Sequence, residues 1–166
     1  MARPPHRLRP VGLDFLDTAP VRMAFSAVLL APPPTVYHAL ADETRNWPTW
    51  FGAVTDARPH GDHGRLITLA GGLRFEETVL AAEPSVRYAY RGDSVNRPGL
   101  RALAEEWRIE PVASTSMVQW TVAADASPAV TLLLRGFRPA LRAAFRRAVH
   151  GLDRQCAVPP PPPGRH

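Results

Sequence analysis

The chain has no lysine and one cysteine, Cys156. A lone thiol gives neither an internal disulfide framework nor a thiolate cluster for zinc. All twenty basic residues are arginine, a usage that points to a genome-wide codon bias rather than to phosphate binding. No basic run is interleaved with aromatics as a base-stacking platform requires. The formal net charge of +5 is therefore read as solvated faces plus a basic N-terminal stretch (Arg3, Arg7, Arg9), with no nucleic-acid partner expected. No apolar run reaches the roughly 18 residues of a membrane span, and the first residues carry arginine and proline but no apolar signal region. The expectation is a cytoplasmic protein with no membrane span. Phosphate loops, dinucleotide fingerprints and serine elbows are also missing, so no cofactor is expected. Nor is a metal: His60 and His63 share a turn without a third ligand. Cys156 has no histidine partner to make it a nucleophile, and His38 and His150 read as surface or packed residues.

What is present is a long apolar stripe near the C-terminus. Val130, Leu134, Phe137, Leu141, Ala144, Phe145, Ala148 and Leu152 recur at three- and four-residue steps, with Arg135, Arg138, Arg142, Arg146 and Asp153 opposite. This spacing predicts an amphipathic helix over 129–156. Gly136 and Pro139 imply a kink, or a restart with Pro139 in the first turn. The part from 139 to 156 would be about 27 Å long, enough to cover one face of a sheet.

The 166 residues are read as one domain over 20–157, between a flexible arm at 1–19 and a disordered proline-rich tail at 158–166. Residues 21–30 form a first strand, ended by Pro32, Pro33 and Pro34, which open a helix carrying Val36, Tyr37, Ala39 and Leu40. Trp47, Pro48 and Trp50 mark a second, bent helix. Six extended segments follow at 53–58, 65–69, 73–82, 86–91, 102–110 and 115–124, separated by turn residues such as Gly61, Gly71, Gly72 and Pro84. Seven antiparallel strands must hide one face, and the terminal helix is the element long enough to cover it.

This order resembles the START and polyketide-cyclase-like helix-grip superfamily (SRPBCC). The resemblance is carried by the strand running into Ala31-Pro32-Pro33, by Ala39-Leu40-Ala41-Asp42, and by the aromatic segment from Trp47 to Phe51. It continues through Gly64-Arg65, Gly71-Gly72-Leu73, Glu77, and Glu83-Pro84 leading to Tyr88 and Tyr90. It implies an α+β fold: a seven-stranded curved antiparallel sheet wrapped around a long C-terminal helix, with two short helices after the first strand. It also implies an elongated apolar cavity, and an acidic position at Glu77 that lines it.

Strand alternation places Leu73, Phe75, Glu77, Val79 and Ala81 on the more apolar face, and sets Arg65 beside Glu77 across a hairpin. The pair reads either as a register-fixing ion pair or as the polar end of a ligand site. Leu103, Glu105, Trp107 and Ile109 share another face, which adds Glu105. Glu77 and Glu105 are thus the candidate acid/base residues. Tyr88 and Tyr90 point inward as aromatic walls or as plain core. The facing of 115–124 stays open between Val118, Trp120 and Val122 and the alternative Met117, Gln119 and Thr121.

The expected function is binding, transport or sequestration of a hydrophobic or amphipathic small molecule: a lipid, isoprenoid or polyketide-like compound. Its walls would be Trp47, Trp50, Phe75, Val79, Tyr88, Tyr90, Trp107, Leu141 and Phe145, with Arg65 and Glu77 at the polar end. The turn at Gly71-Gly72 and the loop from 92 to 101 would form the entrance. The alternatives are a polyketide cyclase or dehydratase using acid/base catalysis, and an interaction module using the arginine face of the helix.

Overall fold

The computed structural model describes residues 5–157; the expected tail at 158–166 and the first four residues of the expected arm lie outside the described residues. In β2 (Val21–Leu29), Val21, Met23 and Phe25 are buried while Arg22 and Ser26 are exposed, so one face carries the burial. Prolines then remove backbone donors and end the strand. Pro33 supplies a preset φ to the first turn of α2 (Pro33–Tyr37). A π turn (His38–Asp42) and a 3-10 turn (Thr44–Asn46) lead into α3 (Trp47–Trp50), where the Trp47 indole N–H donates to the Leu40 carbonyl at 3.0 Å.

Six strands follow: β3 (Val54–His60), β4 (Gly64–Leu69), β5 (Arg74–Glu83), β6 (Arg87–Val95), β7 (Leu100–Val112) and β8 (Thr115–Ala126). The sheet runs β2-β8-β7-β6-β5-β4-β3, antiparallel throughout. This is the expected seven-stranded wall closed by a C-terminal helix. Because β2 and β3 occupy opposite edges, the segment 33–50 must cross the open side between them. The strand left open by the sequence is settled: Val118, Trp120 and Val122 face the core.

The C-terminal stripe divides in two. Ser127 caps α4 (Pro128–Gly136), its hydroxyl accepting from Val130 N–H. The chain breaks at Phe137 and restarts as α5 (Arg138–Ala157), with Pro139 in its first turn, where a missing N–H costs nothing. Phe145, Ala148, Val149, Gly151 and Leu152 of α5 are buried, whereas Arg138, Pro139 and Ala140 are exposed. The helix is therefore held by its second half. A Cβ on Gly151 would sit 2.6 Å from the Trp50 carbonyl oxygen, so only glycine lets α5 lie this close to α3.

The flexible arm expected at 1–19 is corrected over the part described. β6 and β7 pair only from Arg87 opposite Arg108 to Arg91 opposite Ala104, then separate. Residues 6–9 enter the gap. His6 and Arg7 form β1 (His6–Arg7) against Val95 and Ser94, Leu8 N–H donates to Asp93, and Arg9 N–H donates to Arg101. Leu8 is buried in the main core, 2.9 Å from where a Cβ on Gly92 would lie. Val11 and, from α1 (Phe15–Thr18), Phe15 and Leu16 then cover Ala102, Ala104 and Ala123 on the outer face of the sheet. Few apolar residues suffice because the facing strands offer only small ones.

Phe15→Ala should destabilise the protein by about 3 kcal/mol, the lower end for a buried phenylalanine in a satellite cluster. Gly151→Ala should cost roughly 1–3 kcal/mol through overpacking against α3. Urea denaturation of both variants checks these values.

Candidate functional site

Alternation along β4 and β5 turns Arg65 and Glu77 to the same side, and the register makes them direct cross-strand partners. Arg65 Nε donates to Glu77 Oε2 at 2.6 Å, and both side chains are almost completely buried. The guanidinium carbon lies 3.7 Å from the Tyr90 ring centroid and 4.3 Å from that of Trp47, so the cation is held between aromatic faces. Its Nη1 is buried with no hydrogen-bond partner among the described residues. A second carboxylate is close by: Glu105 Oε2 accepts from the Tyr90 hydroxyl at 2.8 Å and from the Trp120 indole N–H at 2.9 Å. Trp107 Nε1 in turn donates to the Tyr90 oxygen at 3.3 Å.

Burial is the dominant influence on these groups. It pushes Glu77 up to about 7, against the opposing pull of Arg65 and with a further upward push from Glu105. It also raises Glu105, which the hydrogen bonds from Tyr90 and Trp120 partly offset. Burial works against the charge of Arg65, but Glu77 and then Tyr90 outweigh it, so the guanidinium stays charged. The Tyr90 phenol is held far above its ordinary range by burial and then by Glu105, so it remains a donor.

This cluster forms one end of a cavity of about 500 Å³ between sheet and helix, within the range that takes small-molecule ligands. Its middle is apolar, with Ile67, Phe75, Val95, Leu103, Val122, Leu141 and Ala144 among its walls. Its other end is bordered by exposed residues, Arg97, Pro98, Leu133 and Phe137, and is the mouth. Glu105 keeps some accessible surface, and that surface faces the cavity it lines rather than bulk solvent.

Of the residues expected in the walls, Arg65, Glu77, Tyr90, Glu105, Trp47, Phe75 and Leu141 border the cavity. Trp50, Trp107 and Phe145 do not: they fill the narrow end, where Trp107 stacks on Trp120 and Trp120 on Phe145 at centroid distances of 5.6 and 6.1 Å. Tyr88 is buried near Arg65, and Val79 packs against the core; neither borders the cavity. The sequence reading missed Phe51, Leu103 and the α4 residues Val130, Leu133 and Leu134. Leu134 and Phe137 already stood in the helical stripe, but that pattern could not show α4 bending over the cavity. The two segments expected as an entrance are joined by Asn96, which donates to the Gly72 carbonyl at 2.8 Å and accepts from Arg74 N–H at 2.9 Å; the 92–101 segment borders the cavity through Arg97, Pro98 and Leu100, and Gly71 and Gly72 do not border it.

Comparison with known proteins bears on this cavity. Residues 20–157 match the family described as polyketide cyclase / dehydrase and lipid transport. Uncharacterized proteins of Mycobacterium tuberculosis (Rv2574) and Mycobacterium bovis (Mb2604) are each 29% identical over 150 residues, covering 87% of this chain and 89% of theirs. Among solved structures, a START superfamily protein from Mycobacterium smegmatis aligns with a TM-score of 0.62 at 12% identity, over 79% of this chain and 98% of that one. The di-domain ARO/CYC BexL from the BE-7585A biosynthetic pathway aligns at 0.65 and 20% identity, over 80% of this chain and 46% of that one. Likenesses at these identities are likenesses of fold.

Arg65→Met should destabilise the protein by about 3–5 kcal/mol at neutral pH, because it takes the charge partner from a buried acid. A carboxyl raised to about 7 on folding favours the folded state fully below its unfolded value near 4.3 and loses that contribution as pH rises through 7. Wild-type stability should therefore fall across this window, by an amount on the order of 3 kcal/mol from Glu77, and Glu77→Gln should flatten the slope. Urea titrations from pH 4 to 8 (roughly the interval between the two values) measure both effects.

Proposed function

The chain belongs to the polyketide cyclase / dehydrase and lipid transport family, and on that premise we propose that it binds one amphipathic small molecule, with a hydrogen-bonding head beside Arg65 and an apolar body toward the mouth. SRPBCC proteins typically hold hydrophobic ligands, and the cavity here has the matching polarity. The carrying observation is the cavity itself: about 500 Å³ bordered mostly by apolar side chains, with Arg65, Glu77 and Glu105 among its polar lining residues. A ligand head group left unpaired in an apolar interior would cost about 1–3 kcal/mol, a cost that polar partners at this end of the cavity remove. The guanidinium is already balanced by Glu77, and Glu105 adds a further acidic group. A carbonyl, hydroxyl or protonated acid head suits this surrounding better than a second full negative charge.

Affinity comes mainly from the apolar walls, at roughly 25 cal/mol per Å² buried less the cost of ordering the ligand. Arg65, held between Trp47 and Tyr90, supplies orientation rather than most of the binding energy. The reading is of a carrier or sequestering protein.

One observation favours a second reading, acid/base turnover of a polyketide-like substrate. Glu105 faces the cavity with its carboxyl pushed upward, beside a phenol that donates to it, an arrangement suited to proton transfer. The two readings separate in one variant. Glu105→Gln keeps binding in both, and abolishes conversion only in the second.

Native mass spectrometry of freshly purified protein should show a single co-purified molecule bearing at least one oxygen acceptor. Ala144→Phe, which fills the cavity from α5, should remove that adduct. It should also weaken uptake of an apolar fluorescent dye at least about tenfold, which is the loss of about 1.4 kcal/mol. Dye uptake unaffected by this substitution, with no adduct in the wild type, overturns the proposal.

A further inference from the structure

α4 is amphipathic, yet none of its residues is buried. Leu132 is 74% exposed, Leu133 55%, and Phe137, at the break before α5, 53%. These three line a shallow apolar groove on the outside of the α4–α5 junction. Leu133 and Phe137 border the interior cavity as well, so an unbroken apolar surface passes from the cavity, over its lip, to the outside.

The charge around this lip has one sign. Arg135, Arg138, Arg142, Arg146 and Arg147 are all exposed, and no aspartate or glutamate occurs from Ser127 to Leu152. Among the described residues none of the five makes an ion pair, whereas arginines elsewhere, such as Arg58, Arg87 and Arg91, do. Arg97 stands exposed on the facing side of the mouth.

We propose that the α4–α5 junction docks the mouth of the cavity onto an anionic lipid bilayer, with Leu132, Leu133 and Phe137 entering the headgroup boundary and the arginines contacting lipid phosphates and carboxylates. A few apolar tips or a basic patch alone gives marginal membrane binding, while the two together give stable attachment. A second copy of this chain is a poor occupant, since a two-fold contact sets the arginine collars against each other. An acidic protein would satisfy the charge, but not the continuity between the groove and an apolar interior. A bilayer does both: it presents anionic groups at its surface and apolar material directly beneath the mouth.

The test is co-sedimentation of the full chain, with no ligand added, on vesicles of phosphatidylcholine alone and of phosphatidylcholine with phosphatidylserine. Binding should be at least about tenfold stronger with phosphatidylserine and should fall steeply as salt is raised. The double substitution Arg138→Glu and Arg142→Glu should weaken it by roughly an order of magnitude or more. Leu132→Ser should weaken it severalfold; because Leu132 is exposed and lies outside the cavity walls, dye uptake by that variant should equal wild type and report an intact fold. No vesicle binding, or equal binding to both compositions, overturns the proposal. So does concentration-dependent self-association that Leu132→Ser abolishes, or capture of an acidic protein without any vesicle binding. Dye uptake is read separately, so failure on vesicles leaves the cavity reading standing.

Discussion

At Gly151 the terminal helix meets the backbone of Trp50 in α3 with no side chain between them, and the half of the helix that carries this contact is the half that is buried. A straight rod against a curved wall can be close at only one place, and the buried run from Phe145 to Leu152 marks it. Near the contact, Phe25, Trp107, Trp120 and Phe145 fill the space ring against ring. Farther along α5 the side chains toward the sheet are Ala144 and Leu141, too small to close the widening gap. The break at Phe137 then lets α4 turn across the wide end. A tightly packed core and an apolar cavity are thus two ends of one wedge.

The polar cluster sits where that wedge is still narrow enough to exclude water. An arginine suits the position better than a lysine would. A planar guanidinium lies between the faces of Trp47 and Tyr90 and still directs one N–H in its own plane at Glu77, which a compact ammonium cannot do. The cost of burying the charge is met by Glu77 and the two rings. Tyr90 links this cation to Glu105, so the acid, the phenol and the guanidinium respond to one another's charge.

Much of this architecture was legible in the residues. Period-two alternation put Arg65, Glu77 and Glu105 on the inner face, because a strand offers only two directions and burial of Phe75 and Trp107 chose between them. Alternation carries no information about position along the wedge, however. Trp50, Trp107 and Phe145 point inward as expected and yet fill the narrow end. The N-terminal stretch was misread for a different reason. Its prolines and arginines outweigh Leu8, Val11, Phe15 and Leu16 in composition, and the feature that welcomes those four is the smallness of Gly92, Ala102, Ala104 and Ala123. Those residues become one surface only once the strands are in register. The strand 115–124 was ambiguous alone for the same reason, and pairing with β2 and β7 decided it.

The gap between β6 and β7 also bears on the order in which the molecule is made. Residues 6–9 are synthesised long before 93–101, the backbone that receives them, and β2 likewise precedes its strand partner β8 by most of the chain. On the ribosome residues 6–9 wait for 93–101 and β2 waits for β8, contacts of high sequence separation that form slowly. The seam between β6 and β7 is thus closed by a segment made well before either of them.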